Sequence, residues 1–471
     1  MRFPLLGALG LLLAGPLAAG PFSEQDLTTA RDLRATALAG DGGYEIVAEL
    51  TTKIGPRLAG SEADARAVEW AVKLFEDLEF DRVWTEPATF PTWHRGIERA
   101  EIVAPARQEL VTLALGFSPA TPDGGIEAEV VMFDDLEALR SADPVKVEGR
   151  IVFIRNRMER TRTGSGYGRA VGARSIGSRV AAEKGAQALV IRSIGTSNNR
   201  FAHTGMQRFD SEVRLLPAVA ISNPDADLLE RLMGGAEPVR MRVEVDAETV
   251  EAHTSHNVIG EITGARHPDQ IVALGAHLDS WDVGTGAIDD GAGVAIVTEA
   301  ARLIRELEAR PDRSIRVVLF AAEEIGLWGG RAWAEARADE IDNYQLVAES
   351  DFGAGEIYAI SARVADAAWP VIEAIWAELE PLGIELGRRQ ASGGPDFTPA
   401  LPLGVAAVDL HQDGTEYFDY HHTVNDTLDK IDPQALAQNA AAYAVLAWLG
   451  AQSPVRFGSG ETILAEEAGK D

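Results

Sequence analysis

Residues 270–324 read QIVALGAHLDSWDVGTGAIDDGAGVAIVTEAARLIRELEARPDRSIRVVLFAAEE. The apolar run at 270–275 is too short and continuous for an amphipathic helix, and reads as a buried strand. A helix at about 293–308 and a second strand at 314–321 follow. The alternation continues downstream, with helices at 328–338, 369–379 and 433–449 and strands at 344–349 and 405–410. Strands alternating with helices predict an α/β fold: a mostly parallel sheet covered by helices on both faces.

The residues that follow each strand carry the chemistry. The first strand runs into Ala276-His277-Leu278-Asp279-Ser280, and Ala287-Ile288-Asp289-Asp290-Gly291 comes shortly after. The second runs into Glu323-Glu324, the third into Ser350-Asp351, and His421-His422 lies beyond the fourth. In open parallel sheets, sites collect outside the carboxyl ends of the strands. Taken singly, each residue has an ordinary explanation. Asp289 could cap a helix, Glu323 and Glu324 could be solvated charges at a helix start, and a lone histidine after a strand is often structural. Together, two Glu, two Asp and two His on one sheet edge would repel one another unless cations offset them.

Composition narrows the chemistry. The 471 residues contain no cysteine, which excludes disulfides, thiol nucleophiles and thiolate-bound metals, so any metal must be held by His, Asp and Glu. A formal charge of −30 argues against a nucleic-acid partner, which needs a basic footprint. No Gly-x-Ser-x-Gly elbow, Walker A loop or His-Glu-x-x-His is present. Gly284-Thr285-Gly286 starts like a dinucleotide loop, but Asp289 stands at the third glycine's place. The inventory fits a two-metal hydrolase. If Asp289 bridges two ions, His277 and Asp351 complete one site, and Glu324 and His422 the other. Glu323 is then free as general base, and Asp279 could orient His277 from behind.

Outside this region, residues 1–19 have the charged start, apolar run and small-residue exit of an export signal. The apolar run is far short of the roughly 20 residues a membrane span needs, and no other stretch approaches one. Residues 24–80 read as helical, with Ser61 as an N-cap. Between 100 and 250 come short β-rich pieces at 101–103, 111–115, 128–133, 151–154, 188–191, 218–221 and 239–245, with one helix at 179–185. Arg155, Arg157, Arg160, Arg162, Arg169, Arg174 and Arg179 crowd a glycine-rich stretch, read as a solvated loop or a contact with acidic neighbours.

The motifs match a known family. Gly275-Ala276-His277-Leu278-Asp279-Ser280-Trp281-Asp282, Ala322-Glu323-Glu324, Glu349-Ser350-Asp351 and Tyr420-His421-His422-Thr423 resemble the co-catalytic zinc exopeptidases, most narrowly the carboxypeptidase Q family. The resemblance implies two zinc ions per subunit, with His277, Asp289, Glu324, Asp351 and His422 as ligands and Glu323 as base. His422 is chosen over His421 because His-Thr-Val-Asn-Asp-Thr matches the ligand-bearing stretch. It implies an exported enzyme, periplasmic or secreted, acting on short peptides with free termini and often homodimeric.

It also implies this division of the chain: a signal at 1–19, a first peptidase part at 20–105, an inserted protease-associated domain at 106–255, a second peptidase part at 256–455 and a loose tail at 456–471. Asp396, in Ser392-Gly393-Gly394-Pro395-Asp396, could set a substrate amino group. His203 could reach the site across a domain or subunit gap, while Arg388 and Arg389 read as surface. The alternatives are a single-zinc enzyme like a glutaminyl cyclase, and a non-catalytic receptor or scaffold on the same fold.

Overall fold

The computed structural model describes residues 20–209 and 214–460. The expected signal at 1–19 and the end of the tail, 461–471, lie outside the described residues.

The chain begins with helices Glu24–Ala39, Gly42–Lys53 and Glu62–Asp77. The third starts where expected, because the Ser61 hydroxyl accepts the Asp64 N–H at 3.1 Å. The next element was not anticipated. Strand Arg82–Ala104 is 23 residues long and pairs antiparallel with an equally long strand, Arg240–Ile262, from Arg82↔Glu261 to Ala104↔Arg240. The pieces expected at 101–103 and 239–245 are only one end of this ribbon.

On one side of the ribbon the sheet continues through Arg313–Phe320, His267–His277, Tyr344–Glu349, Ala407–Gln412, Ile357–Arg363 and Glu385–Leu386. The first four of these are mutually parallel, so their carboxyl ends share one edge. Ile357–Arg363, which the sequence did not suggest, runs antiparallel to Ala407–Gln412. On the other side lie Ile126–Phe133, Ile151–Ile154, Ala188–Arg192 and Ala218–Ile221, again mutually parallel, closed by an antiparallel Thr112–Ala114. Here the single helix expected at 179–185 appears as Gly177–Glu183, accompanied by helices Leu136–Ser141, Ser165–Ala170, Gly172–Ser175 and Asn223–Met233.

Helix Ala292–Arg305 leads away from the strand-end turn and is buried over most of its length. The alanine-rich helix Pro433–Gln452 lies against it and against Glu24–Ala39, its small side chains permitting close approach. On a separate cluster, Phe397 packs edge-on against Phe320 and Trp333, with both centroid distances 5.1 Å. That anchor holds the glycine-rich loop carrying Asp396 beside the strand ends. Among the described residues no helix is long and apolar enough to cross a membrane.

Candidate metal centre

His277 is the last residue of its strand and fully buried. Its backbone N–H donates to Asp290 at 3.1 Å, and its Nδ1 lies 3.1 Å from the Asp279 carbonyl oxygen. These contacts leave Nε2 facing Asp289 Oδ1 at 3.1 Å and Asp351 Oδ1 at 3.3 Å. Asp279 also accepts the Glu323 N–H at 3.0 Å, tying the ends of two adjacent strands together.

The turn before Ala292–Arg305 presents Asp289. Asp426 builds that turn by accepting the amides of Ala287, Ile288 and Asp289 at 2.8, 2.6 and 3.2 Å. From below, the buried Arg57 donates to the carbonyls of Leu278, Thr285 and Gly286 at 2.5, 2.8 and 2.9 Å. Asp290 is a brace, with its second oxygen accepting Gly293 N–H at 3.0 Å.

Asp289 therefore stands between two imidazoles. Its Oδ1 faces His277, while its Oδ2 lies 3.3 Å from His422 Nε2. Glu324 Oε2 approaches the same His422 nitrogen at 2.8 Å. His421 stacks on His422 at 3.5 Å between centroids and stands farther off, with Nε2 3.7 Å from Asp289. The structure thus brings His277, Asp289, Glu324, Asp351 and His422 together. Groups of candidate metal-binding atoms within 4.8 Å of one another include His277, Asp289 and Glu324; His277, Asp290 and Asp351; and Asp289, His421 and His422.

The electrostatics of these side chains alone are unfavourable. Burial, reinforced by neighbouring carboxylates, pushes Glu323, Glu324, Glu349 and Asp396 well above the usual carboxylate range. Burial pushes Asp289 the same way, yet the facing His277 and His422 imidazoles hold it well below that range. Burial disfavours charge on His277, but the facing Asp351 charge and its other carboxylate contacts raise it well above its ordinary value. Asp289 Oδ2, Glu324 Oε1, Glu349 Oε1 and both Asp396 oxygens are buried without a hydrogen-bond partner. Buried acceptors without donors are rare in native proteins. Carboxylates and imidazoles gathered in this way fit dications.

The candidate substrate contacts lie close by. Asp396 is fully buried, its N–H donating to Glu349 at 2.9 Å. His203 is reached within this same chain: its Nδ1 lies 2.8 Å from the His421 carbonyl oxygen, and its Nε2 has no partner. A cavity of about 770 Å³ opens beside Glu349 and Asp351, lined also by Tyr358, Ser361, Arg388 and His411. Arg389 is exposed and pairs with Asp366 at 2.9 Å.

Sequence reading missed Arg57, whose only signal was its place after the Gly55-Pro56 turn, and the building role of Asp426. It also misplaced Arg174. Arg162 and Arg155 do meet acidic neighbours, Asp413 at 2.8 Å and Asp134 at 2.6 Å. Arg174 is buried rather than solvated and, among the described residues, is paired with no acid; its Nη1 lies 3.4 Å from His422 Nδ1.

Known proteins resemble this chain in sequence and in fold. The model of "Peptidase family M28" matches residues 257–447. Carboxypeptidase Q from Bos taurus is 34% identical over 406 residues, 86% of this chain and 84% of that protein. The Homo sapiens carboxypeptidase Q is likewise 34% identical, over 409 residues, with the same shares. The crystal structure of a peptidase M28 precursor from Shewanella amazonensis SB2B superposes with a TM-score of 0.90 at 51% identity, covering 92% of this chain and 98% of that one. An aminopeptidase from Aneurinibacillus sp. strain AM-1, 22% identical with a TM-score of 0.63, covers 95% of this chain and 99% of its own and shares the fold.

Proposed function

The chain belongs to the carboxypeptidase Q family within peptidase family M28 and is a metallo-exopeptidase; we propose that it is an exported enzyme holding two zinc ions and hydrolysing dipeptides or short peptides with free termini. One observation carries the proposal: the Asp289 carboxylate has one oxygen 3.1 Å from His277 Nε2 and the other 3.3 Å from His422 Nε2. A carboxylate so placed would serve two ions, with His277 and Asp351 holding one and Glu324 and His422 the other.

Dications bound there supply a water of lowered pKa and polarise the scissile carbonyl. The chain's own residues do the rest. Glu323 is left free of metal duty beside the ligands, and its partly buried carboxylate takes the proton of the attacking water and returns it to the leaving amine. Asp279 holds both the Glu323 backbone and the His277 ring, so base and ligand stay in fixed relation. The Asp396 oxygens and His203 Nε2, buried without partners like Glu349 Oε1 on the cavity wall, are candidates to meet a substrate's polar ends. The cavity beside Asp351 is within the size range of small-ligand sites, about 300–1,000 Å³. Within this reading, residues 1–19 are an export leader and residues 106–255 an inserted region of protease-associated type.

The test is a count of bound zinc together with hydrolysis of a dipeptide panel, with either terminus free or blocked. Glu323→Gln should keep about two zinc ions per chain and lose about 10²–10⁴-fold in kcat. A Glu323→Gln enzyme as active as wild type overturns the mechanism, and a wild type that binds no metal overturns the assignment. The blocked substrates give the direction of attack.

A further inference from the structure

Of the two imidazoles flanking Asp289, His277 is held by its own strand end, whereas His422 is held largely from across the molecule. Thr204 N–H donates to the His422 carbonyl at 3.0 Å, and the Thr204 carbonyl lies 3.3 Å from His422 Nδ1. Arg174 Nη1 lies 3.3 Å from that same Thr204 carbonyl. Both residues come from the region between the two long strands. Thr204 is itself anchored, its hydroxyl donating to Ala114 at 2.7 Å and accepting from Arg95 at 3.1 Å.

The arrangement is built rather than incidental. His422 has φ of +60°, a left-handed conformation that a residue with a side chain keeps only when its surroundings enforce it. Gly205, at φ of +130°, leaves the space that the Arg174 guanidinium fills, and a Cβ there would overlap it. The guanidinium also hydrogen-bonds the Tyr167 hydroxyl and lies 5.4 Å from that ring's centroid. Among the described residues no carboxylate pairs with it. A buried arginine directed at a carbonyl instead of an acid calls for a reason other than charge pairing.

We propose that Arg174 is a positioning residue for the His422 side of the metal site, acting through the Thr204 carbonyl. The guanidinium fixes the carbonyl, the carbonyl accepts the Nδ1–H of His422, and Nε2 is thereby turned toward Asp289 and Glu324 with its lone pair free. Coupling of this kind is reciprocal. Metal on that side and docking of the segment around residues 165–208 stabilise each other. The inference rests on the two-zinc reading above.

The experiment counts zinc per chain after dialysis against graded chelator, for wild type, Arg174→Ala, Arg174→Lys and Arg179→Ala. Arg179 belongs to the same arginine run but is exposed and paired with Glu183 at 3.2 Å, so its variant serves as the unperturbed control. Hydrogen exchange over residues 165–208 is measured on the zinc-loaded and zinc-stripped forms. Arg174→Ala should release one of its two zinc ions at chelator strengths about 10–100-fold lower than wild type, while the other stays bound. Arg174→Lys, which keeps the charge but not the planar fork, should fall between. Zinc should slow exchange in the segment for wild type and much less for Arg174→Ala. If Arg174→Ala does not fold by circular dichroism, the lysine variant carries the same comparison. A wild type with two zinc ions and Arg174 variants that release both in the wild-type pattern overturns the inference alone. A wild type without zinc overturns the two-zinc reading, and the inference with it.

Discussion

Around the strands Ile151–Ile154, Ala188–Arg192 and Ala218–Ile221, buried charge is mostly matched. The Arg192 side chain is fully enclosed and meets Glu230 and, at 2.9 Å, Asp227. Asp225 accepts from Val111, Ser222 and Arg200 at 2.8, 2.8 and 2.9 Å. Around His267–His277, Arg313–Phe320 and Tyr344–Glu349 the reverse holds. Carboxylates face carboxylates there, and several buried oxygens have no donor. Both sets of strands are parallel and apolar in their centres, so the contrast is not one of fold. It separates charge that serves the structure from charge kept for something the polypeptide does not itself supply.

The largest test of that contrast is Asp289→Ala. It removes the carboxylate between the two imidazoles, and zinc should fall below one ion per chain, with hydrolysis at background. A variant that keeps two zinc ions would mean Asp289 does not bridge.

Metal removal tests the same idea through pH. In the metal-free protein, burial holds Asp426 up at about 7 and Asp64 at about 6, with Glu323, Glu324, Glu349 and Asp396 also raised. A carboxyl group whose folded pKa is raised binds more protons folded than unfolded, so its stabilising contribution is present at low pH and lost as pH rises through the folded value. Burial lowers His203, His421 and His422, which act the other way below about pH 6.5, but the raised carboxyl groups outnumber them. The zinc-free protein should therefore lose Tm as pH rises from about 4.5 to 7, and zinc, by holding Glu324 in its charged form, should flatten that slope. A zinc-free Tm that climbs over this range would contradict the picture.

The smallest effect is expected on the matched side. Arg192→Ala takes from Glu230 its buried partner, leaving it Arg155 at 3.3 Å, and strands the carbonyl of Asn223, which Arg192 bonds at 3.0 Å. It should cost about 1–3 kcal/mol in a denaturant melt while leaving zinc content unchanged. Loss of zinc in this variant would erase the distinction between the two regions.

Much of the site was legible because the sheet topology places it. Once 270–275, 314–321 and 344–349 are read as parallel strands, His277, Glu323, Glu324 and Asp351 must share an edge, and the structure puts them there. The long ribbon was not legible for a physical reason. Much of its middle, including Glu248 and Thr254, is solvent-exposed or only partly buried, so no sustained apolar alternation marks it. Arg174 was hidden differently. It sits in a run of seven arginines, most of them exposed, and only the packing of Gly205 and Thr204 separates it from its neighbours.

The ribbon has a consequence for ancestry. Ala104 and Arg240 are directly paired, so the 135 residues between them leave and re-enter the molecule at a single rung of an antiparallel ladder. An excursion whose ends already touch can be acquired or exchanged without re-threading the sheet that bears the metal-binding edge. Topology makes the segment optional, while the hold of Thr204 on His422 makes it part of the working parts. A lineage that discarded it would have to find another way to steady that histidine.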